Sequence, residues 1–388
     1  MKEKQVKLLG DIVIFDKRFK GISRDIQKNI VSFIHVSAEE LKKMKHENGT
    51  IKLLSTGLFT GYTTKELASN YINKGEVITI PTGGTANIKY HNGEFVDSGN
   101  ILCVSKYRDI DLKFVYYALL YNKDYIESCY KGTGIKHPYM PDIWNIPIPI
   151  PSITDQQSIV IYINSQFAKI DAIKANAEKQ LQEAKTLFQN ALKDLLTPKE
   201  GWNRKIMSDI CTLSQGLAIN SKTRSLIVEK SSIPLLRIKD MKNGTKEIFI
   251  DDIRYPKSCL AIPEDIIYTR TGTLGLVFTG QYGIVHNNCF KINLNTSEVN
   301  KSFYMYYIQE GHFRNNIIKE AEKSVQADIT HSLFKKQIIS YPNKIEQNII
   351  TEKLDDLLHK VTQLQSNYSQ TITLCEDLKK SLLKDIFS

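Results

Sequence analysis

The sequence lacks the patterns that mark many nucleotide-using and metal-using enzymes. None of its 20 glycines belongs to a G-x-x-x-x-G-K-S/T phosphate-binding loop. No two of its 11 prolines are adjacent, which excludes the D/N-P-P-Y/F motif of amino-methyltransferases. Its 8 histidines do not occur in H-E-x-x-H or another metal-binding spacing. We therefore expect a chain that has no methyltransferase, motor or metal-dependent activity of its own.

Cysteine pairs and long apolar segments are also missing. The 6 cysteines include no C-x-x-C pair, which predicts reduced thiols rather than a disulfide framework or a zinc site. The longest apolar run, Phe114 to Tyr121, is too short to span a bilayer. No apolar segment follows Met1 to Gln5 as it would in a signal peptide. We therefore expect a cytoplasmic protein that has no membrane partner.

An excess of basic residues is present instead. The 52 Lys and Arg residues outnumber the 42 Asp and Glu residues, which gives a formal charge of +10. A surplus of this size favours a polyanionic partner, because binding releases counterions from phosphate groups. The alternative is a basic surface that serves solubility alone.

The chain contains two copies of one long apolar pattern. Apolar residues spaced three and four apart follow residue 152, and apolar residues recur 191 positions later. This spacing is that of one helix face, and it predicts two long helices, at 152–198 and 343–388. The positions expected to form the seam of a helix pair are Ile159, Ile163, Phe167, Ile170 and Leu181 in the first copy, and Ile350, Leu354, Leu358, Val361 and Ile372 in the second.

Both predicted helices begin in the same way. A proline precedes a polar cap, Ser152 or Asn343, and an acidic residue follows three positions later, as in a capping box. Because a helix with one apolar stripe must bury that stripe, we expect the two helices to pair. A pseudo-twofold relation between the copies would make the pair antiparallel, and an average period of about 3.67 residues predicts little or slightly right-handed supercoil. The alternative is that each helix packs on a globular domain.

The segments that precede the helices also correspond. Phe114-Val115-Tyr116-Tyr117 parallels Phe303-Tyr304-Met305-Tyr306. Both segments are rich in β-branched and aromatic residues interrupted by Gly and Asn, which predicts short strands. Asn-Gly pairs at 48–49, 92–93 and 243–244 favour hairpin turns. The predicted fold is α+β, with two mixed, strand-rich domains at 1–151 and 199–342 that are joined by the two long helices.

This doubled layout resembles the specificity subunit of type I restriction–modification enzymes. The segment Pro263 to Thr273 resembles the strand and turn of a target recognition domain. The run Ile146 to Pro151, followed by Asp155-Gln156-Gln157, resembles the approach to the family's central helix, and a weaker copy occurs at 339–347. The resemblance covers the whole chain in the family's order of recognition domain, helix, recognition domain and helix.

The resemblance implies a non-catalytic subunit that reads a bipartite site in double-stranded DNA, one half with each recognition domain, while the helices set the gap. It further implies two methyltransferase subunits and, in a full restriction complex, two nuclease or motor subunits as partners. S-adenosylmethionine, Mg and ATP would bind to these partners, and no cofactor or metal to this chain. The alternatives are a subunit of a methylation-only or related DNA-modification system, a self-contained DNA enzyme, and a coiled-coil adaptor that binds proteins only.

Candidate DNA contacts are basic, amide and hydroxyl side chains in loops, because such groups reach base edges and phosphates. In the second domain the first candidates are Arg270, Thr271 and Thr273, which follow an apolar strand; the alternative is an arginine that only stabilises the turn. The first domain has Pro81 where the second has this arginine. Basic clusters of this kind are more often solvated surface than contacts. The other candidates are Thr82, Thr85, Asn87, Lys89, Lys17, Arg18, Lys20, Lys131, Lys136, His137, Lys222 and Arg224.

Overall fold

The chain is organised into two compact units that share the long helices. The computed structural model describes residues 5–388. Unit 1 consists of the chain up to residue 177 together with 370–388, and unit 2 consists of residues 178–369. Each unit therefore contains one strand-rich region, the beginning of one long helix and the end of the other. The mixture of helices and strands is the predicted α+β class.

Both long helices form where the apolar pattern predicts them. The first helix is Ile153–Leu196 and the second is Lys344–Phe387, each of 44 residues, or about 66 Å long at 1.5 Å per residue. The polar residues before them cap the first turn as expected. The Asp155 amide donates to Ser152 Oγ at 3.2 Å, and the Glu346 amide donates to Asn343 Oδ1 at 3.0 Å.

The helices pair in antiparallel orientation, as the repeat predicts. Within unit 1, Asp171 Oδ1 lies 2.5 Å from Lys379 Nζ, and Lys174 Nζ lies 2.5 Å from Glu376 Oε1. Residue numbers rise along one helix as they fall along the other, which defines the direction. These ion pairs are partly exposed and add little stability. They flank a buried seam in which Ile163 and Ile170 lie.

The seam differs from the predicted stripe at one of the predicted seam residues. The buried positions Ile163, Ile170, Ala177 and Ala184 recur every seven residues, as in a coiled-coil heptad. Leu358 was a predicted seam residue, but 39% of its surface is exposed. The remaining predicted seam residues are buried or half-buried: Ile159, Phe167, Leu181, Ile350, Leu354, Val361 and Ile372.

The C-terminal end of each long helix packs on a globular core. The alternative prediction, that each helix packs on a globular domain, is therefore also correct in part. Leu192 and Leu196 join the main core of unit 2, and Leu383 and Phe387 join the main core of unit 1. These pairs again differ by 191 positions. The buried face has shifted by one residue from the predicted stripe, because an α-helix has 3.6 residues per turn and drifts relative to a seven-residue repeat.

Unit 1 is built on a six-stranded mixed sheet. Its strands, in spatial order, are Val13–Phe15, Ile101–Ser105, Asn73–Ile80, Lys89–Asp97, Ile51–Leu54 and Thr60–Thr63. Two short pairs are added, Gln5–Leu8 with Pro147–Ile150 and Tyr130–Lys131 with His137–Pro138. The short helices are Leu9–Ile12, Ala38–Lys43, Lys65–Ala68, Leu112–Tyr121, Lys123–Ser128 and Met140–Trp144. Helix Leu112–Tyr121 packs between this sheet and the long helices through Phe114, which lies 5.3 Å from the ring of Phe387.

Unit 2 divides its strands between two larger sheets. One contains Cys211–Gln215, Cys289–Leu294, Ile266–Thr269 and Val277–Phe278 in spatial order. The other contains Ile227–Val228, Phe249–Ile250, Ile233–Leu236, Gly283–Val285 and Leu260–Ala261. Asn203–Ile206 pairs with Ile338–Tyr341. The helices are Met207–Ile210, Ile238–Asn243, Lys301–Gln309, Gly311–Ala321 and His331–Lys335.

The two units repeat one buried hydrogen-bond arrangement at the start of the long helices. Gln156 Nε2 donates to the carbonyls of Pro151 and Asp109, and Gln156 Oε1 accepts from an amide at 2.9 Å. Gln347 makes the same three contacts, with the Pro342 and Glu298 carbonyls and an amide at 2.6 Å. Both side chains are fully buried, so each amide group satisfies backbone that would otherwise be unpaired. These equivalent glutamines fix each long helix to the strand-rich region of its unit.

The Asn-Gly hairpins predicted from the sequence are wrong. Asn92 and Gly93 lie inside the strand Lys89–Asp97. Gly244 caps the C-terminus of helix Ile238–Asn243, with a φ of 68° in the left-handed region, which is another conformation that favours glycine. Asn48 and Gly49 precede the strand Ile51–Leu54 without joining two paired strands. The dipeptide identifies a left-handed or loop position but does not distinguish a hairpin from a helix end.

A buried carboxylate pair in unit 1 predicts a pH-dependent stability. His35 Nε2 lies 2.9 Å from Asp16 Oδ2 and its Nδ1 lies 2.8 Å from Asp97 Oδ2. The hydrogen bonds to Asp16 and then Asp97 raise the pKa of His35 from 6.5 to about 9. Because the folded-state pKa is above the unfolded value, the stabilisation is complete below pH 6.5 and is lost as the pH rises through about 9. This stabilisation is at most about 3 kcal/mol, because each pKa unit corresponds to 1.36 kcal/mol.

Urea unfolding of the wild type and His35→Gln measures this contribution. We expect the wild type to exceed the variant in stability at neutral pH, and the difference to shrink as the pH is raised from 7 to 10. A difference that stayed constant over this range would show that the charge of His35 does not contribute.

Candidate nucleic-acid interface

Two of the candidate segments of unit 1 are in direct contact. The Gly84 amide donates to the Lys136 carbonyl at 2.9 Å, and His137 Nδ1 lies 2.6 Å from the Thr82 carbonyl. A Cβ on Gly83 would be only 3.0 Å from the Ile135 side chain, so the close approach favours glycine there. The segment 131–137 forms the tip of a short hairpin. The structure therefore joins the turn 81–85 to the basic loop 131–137.

A third basic segment of unit 1 lies beside the same hairpin. A Cβ on Gly21 would be 3.1 Å from Pro141 Cγ, which places the loop 17–21 against the end of the hairpin. Buried Gln27 holds this loop, because its Oε1 accepts from the Phe19 amide at 2.8 Å and its Nε2 donates to the Phe19 and Ile22 carbonyls. We refer to the three segments 17–21, 81–89 and 131–141 together as the loop face of unit 1.

The loop face carries several exposed cations. Arg18, Lys20, Lys136 and His137 are exposed, and Lys17 is half-buried. Lys131 is exposed but lies 3.2 Å from Asp142 and 4.3 Å from the Tyr139 ring centroid. Exposed cations in neighbouring loops can bind phosphate oxygens.

Other candidates of unit 1 hold the protein's own backbone. Asn87 Nδ2 donates to the Gly57 carbonyl at 2.8 Å. Lys89 Nζ donates to the carbonyls of Gly57, at 2.8 Å, and of Ser55, and burial lowers the pKa of this amine. Thr82 Oγ1 donates to the Gly99 carbonyl at 3.1 Å, whereas Thr85 is exposed. Asn87 and Lys89 therefore position the loop 55–57 in this structure through side-chain groups that were candidates for DNA contact.

In unit 2, Arg270 is part of a partly exposed ion pair. Its Nε donates to Asp328 Oδ1 at 2.8 Å, its Nη2 donates to Asp328 Oδ2, and its Nη1 donates to Gln215 Oε1 at 3.2 Å. The side chain of Arg270 is 20% exposed. Its carbonyl also accepts the Ile329 amide at 2.9 Å. The arginine thus links the turn after its strand to the loop 322–328, which is the stabilising role that the sequence left open.

The hydroxyl candidates beside Arg270 are more accessible. Thr273 is exposed, and its Oγ1 accepts from Lys242 Nζ at 3.3 Å, whereas Thr271 is half-buried. Gly272 and Gly275 in this turn have φ values of 75° and 71°, which favour glycine. Lys242 was not among the candidates predicted from the sequence, because the helix Ile238–Asn243 that places it beside the turn was taken for a hairpin.

Lys222 and Arg224 are exposed and lie in a turn that Asn220 organises. Asn220 Oδ1 accepts the Lys222 amide at 2.9 Å, and Thr223 Oγ1 donates to the Ala218 carbonyl at 2.5 Å. This segment follows Gln215, the residue to which Arg270 donates. The candidates near Arg270 and the pair Lys222 and Arg224 therefore both lie close to the end of the strand Cys211–Gln215.

A family model agrees with the doubled arrangement. The model for the type I restriction modification DNA specificity domain matches the chain twice, at residues 25–183 and 199–374. The first match includes the turn 81–89 and the hairpin loop 131–141, the second includes the loops beside Arg270, and each covers most of one long helix. The chain belongs to this family. Its two specificity domains thus correspond to the two copies of the repeat seen in the sequence.

The curated relatives of this chain are named as specificity subunits of type I restriction enzymes. The EcoBI specificity subunit of Escherichia coli is 23% identical over 202 residues, which are 52% of this chain and 41% of that protein. The MjaVIII specificity subunit of Methanocaldococcus jannaschii is 19% identical over 327 residues, which are 77% of this chain and 75% of that protein. The match to the EcoBI subunit thus spans well under half of that relative's length.

Solved structures share the fold of the two specificity domains. A chain from a study of complex assembly and conformational transition of the type I R-M system has a TM-score of 0.70 and 15% identity, covering 98% of this chain and 96% of that one. The HsdS subunit of Thermoanaerobacter tengcongensis has a TM-score of 0.51 and 15% identity, with 100% and 97% covered. At this identity the likeness establishes the fold alone.

Within residues 5–388, no three His, Cys, Asp or Glu side chains are grouped as a metal site would require. All six cysteines are free and buried. Over the same described range, no helix has the length and apolar character needed to cross a bilayer. The candidate residues of the specificity domains lie mainly in loops at the surface, a common arrangement for binding sites.

Proposed function

We propose that this chain is the non-catalytic specificity subunit of a type I restriction–modification complex. Each specificity domain reads one half of a bipartite site in double-stranded DNA, chiefly through the loop face of unit 1 and the loops beside Arg270 in unit 2. The observation that carries the proposal is the double family match on a chain whose two units repeat the same glutamine arrangement, helix cap and helix end. The net charge of +10 supports a phosphate-rich partner.

The proposal includes partners that bring the chemistry. Two like units offer two like docking surfaces, so two methyltransferase subunits would bind, and a restriction complex would add nuclease or motor subunits. S-adenosylmethionine, Mg and ATP belong to those partners, which would extrude the target adenine from the stack. A methylation-only system would use the same chain without the nuclease.

The test is to map methylated adenines in the host genome with and without this gene. We expect a bipartite adenine motif to disappear on deletion and to return when the gene is supplied on a plasmid. The purified chain alone should transfer no methyl group from S-adenosylmethionine and should not hydrolyse ATP or cleave DNA. An unchanged methylation map, or turnover by a preparation free of other subunits, would refute the proposal.

A further inference from the structure

Unit 2 contains a cleft of about 740 Å³ beside the C-terminal end of its first long helix, a size that is typical of binding sites. Its walls come from that helix end, the segment that follows it, the strand Ile338–Tyr341 and the start of helix Gly311–Ala321. The apolar residues on its floor, which are buried or half-buried, are Leu196, Trp202, Tyr307 and Phe313. None of the residues that line the cleft is a candidate for DNA contact.

The rim of this cleft is cationic. The basic side chains that line it, all of them exposed, are Lys193, Lys199, Arg204 and Lys336. In the part of the chain that the structure describes, none of these four side chains forms an ion pair. Glu310 is the one acidic residue of the lining, and its Oε2 already accepts the His312 and Phe313 amides at 2.8 and 3.1 Å. Asp194 and Glu200 are close in sequence but do not line the cleft. The lining therefore has four cations against one carboxylate.

Unit 1 carries less charge at the equivalent positions. The registers of the two short strand pairs place Val6 at the position of Arg204, and Asn145 at the position of Lys336. The basic counterpart that remains is Lys384, which lies 191 positions after the cation of the first long helix. Because the two units otherwise repeat one plan, this difference makes the cationic cleft particular to unit 2. An occupant that needs these cations would bind once per chain.

The composition of the cleft favours an acidic peptide over a nucleic acid. Carboxylates complement the rim, and an apolar side chain between them would bury the floor. A single strand would need open ring faces on which its bases could stack. Tyr307, however, is stacked on Phe303 and packs on Phe313, with ring centroids 6.3 and 5.6 Å away. Trp202 packs edge-on against Phe303 and donates its indole N–H to Glu346. A duplex presents phosphates but no apolar side chain, so it would leave the floor uncovered.

We propose that this cleft binds an acidic peptide segment of a protein partner, with carboxylates on the rim cations and an apolar side chain on the aromatic floor. One segment binds per chain, in addition to the two like docking surfaces of the proposed function, and it makes the assembled complex asymmetric. The inference does not rest on the proposed function, because every contact that carries it lies within unit 2.

The test titrates a synthetic peptide, Glu-Glu-Phe-Glu-Glu-Leu, into the full-length chain and measures binding by calorimetry and by tryptophan emission. Trp202 lies in the cleft, and Trp144 in unit 1 is the other of the two tryptophans. We expect one bound peptide per chain and a change in emission. Replacing the glutamates of the peptide by glutamine should weaken binding at least about tenfold, because several exposed charge pairs are lost together.

The double variant Arg204→Gln with Lys336→Gln should weaken binding of the peptide roughly fivefold, and it should fold normally because both side chains are exposed. The matched control is Lys230→Gln with Lys257→Gln, which removes the same charge from exposed positions of unit 2 outside the cleft. This control should bind the peptide like the wild type.

Three results would overturn the inference and leave the proposed function standing: no binding of the peptide to the wild type, equal binding by the two double variants, or two bound peptides per chain. Displacement of the peptide by single-stranded hexathymidylate at equal affinity would assign the cleft to nucleic acid, and would likewise overturn the inference.

Discussion

Exchange of residues 1–151 for the corresponding segment of a relative is expected to replace one half of the methylated site and leave the other half unchanged. The loop face of unit 1 lies entirely within this segment, and its contacts with the turn 81–85, the hairpin and Gln27 are all internal to it. Adenine methylation mapping of a strain that carries the chimera gives the new site directly.

The matching exchange is residues 199–342, which should replace the other half alone. In both chimeras the long helices remain native. The donor of 1–151 must therefore supply an aromatic residue at the position of Phe114 to pack on Phe387 and backbone at 109–111 to meet Gln156. The donor of 199–342 must supply backbone at 298–300 to meet Gln347. If either exchange altered both half-sites, each unit would not read its own half and the modular interpretation would be wrong.

Leu354→Lys is expected to cause the largest loss of stability of any single substitution considered for this chain. Leu354 is fully buried in the main core of unit 2. Removing its side chain alone would cost about 2–5 kcal/mol, and an unpaired ammonium in the same space adds to that cost. Since a folded protein is typically stable by only about 5–15 kcal/mol, unit 2 should be largely unfolded or strongly destabilised.

Ile163→Lys is the equivalent change in unit 1, because Ile163 is fully buried in that unit's core. Leu364→Lys is the control in the same helix as Leu354, since 39% of Leu364 is already exposed. Hydrogen exchange followed by mass spectrometry should show protection lost in residues 178–369 for Leu354→Lys and in unit 1 for Ile163→Lys. A Leu354→Lys protein that kept wild-type protection and unfolded within about 1 kcal/mol of the wild type would contradict the assigned packing.

The helices could be predicted because their information is local and repeated. Apolar spacings of three and four over more than forty residues fit only one regular structure, the α-helix. The second copy of the pattern supports the same prediction. The exposure of Leu358 could not be predicted in this way. Where a helix leaves a globular core for a pairing seam, the residue that is buried depends on partners that are distant in sequence, and the pattern of one helix does not contain them.

The candidate site illustrates the same limit for side-chain contacts. Arg270 is a sensible base-reading residue by its type and position, yet its partner Asp328 lies 58 residues further along the chain. Asn87 and Lys89 likewise face a loop some thirty residues earlier. Conversely, the contact between Gly84 and Lys136 brings together two candidates that the sequence treats separately. Residue type identifies what could bind DNA, and the tertiary structure decides which of these groups are already occupied.

The packing of Phe387 on Phe114 sets an order of events during protein synthesis. Unit 2 is one continuous stretch, 178–369, whereas unit 1 needs residues 370–388 to complete its core. At about 5–20 residues per second, the ribosome takes roughly 10 to 40 s to reach the end of the chain after finishing the first part of unit 1. During that interval Phe114 and its neighbours lack their final apolar cover. The core of unit 1, most of which is made before unit 2, is therefore closed only after unit 2 has been synthesised.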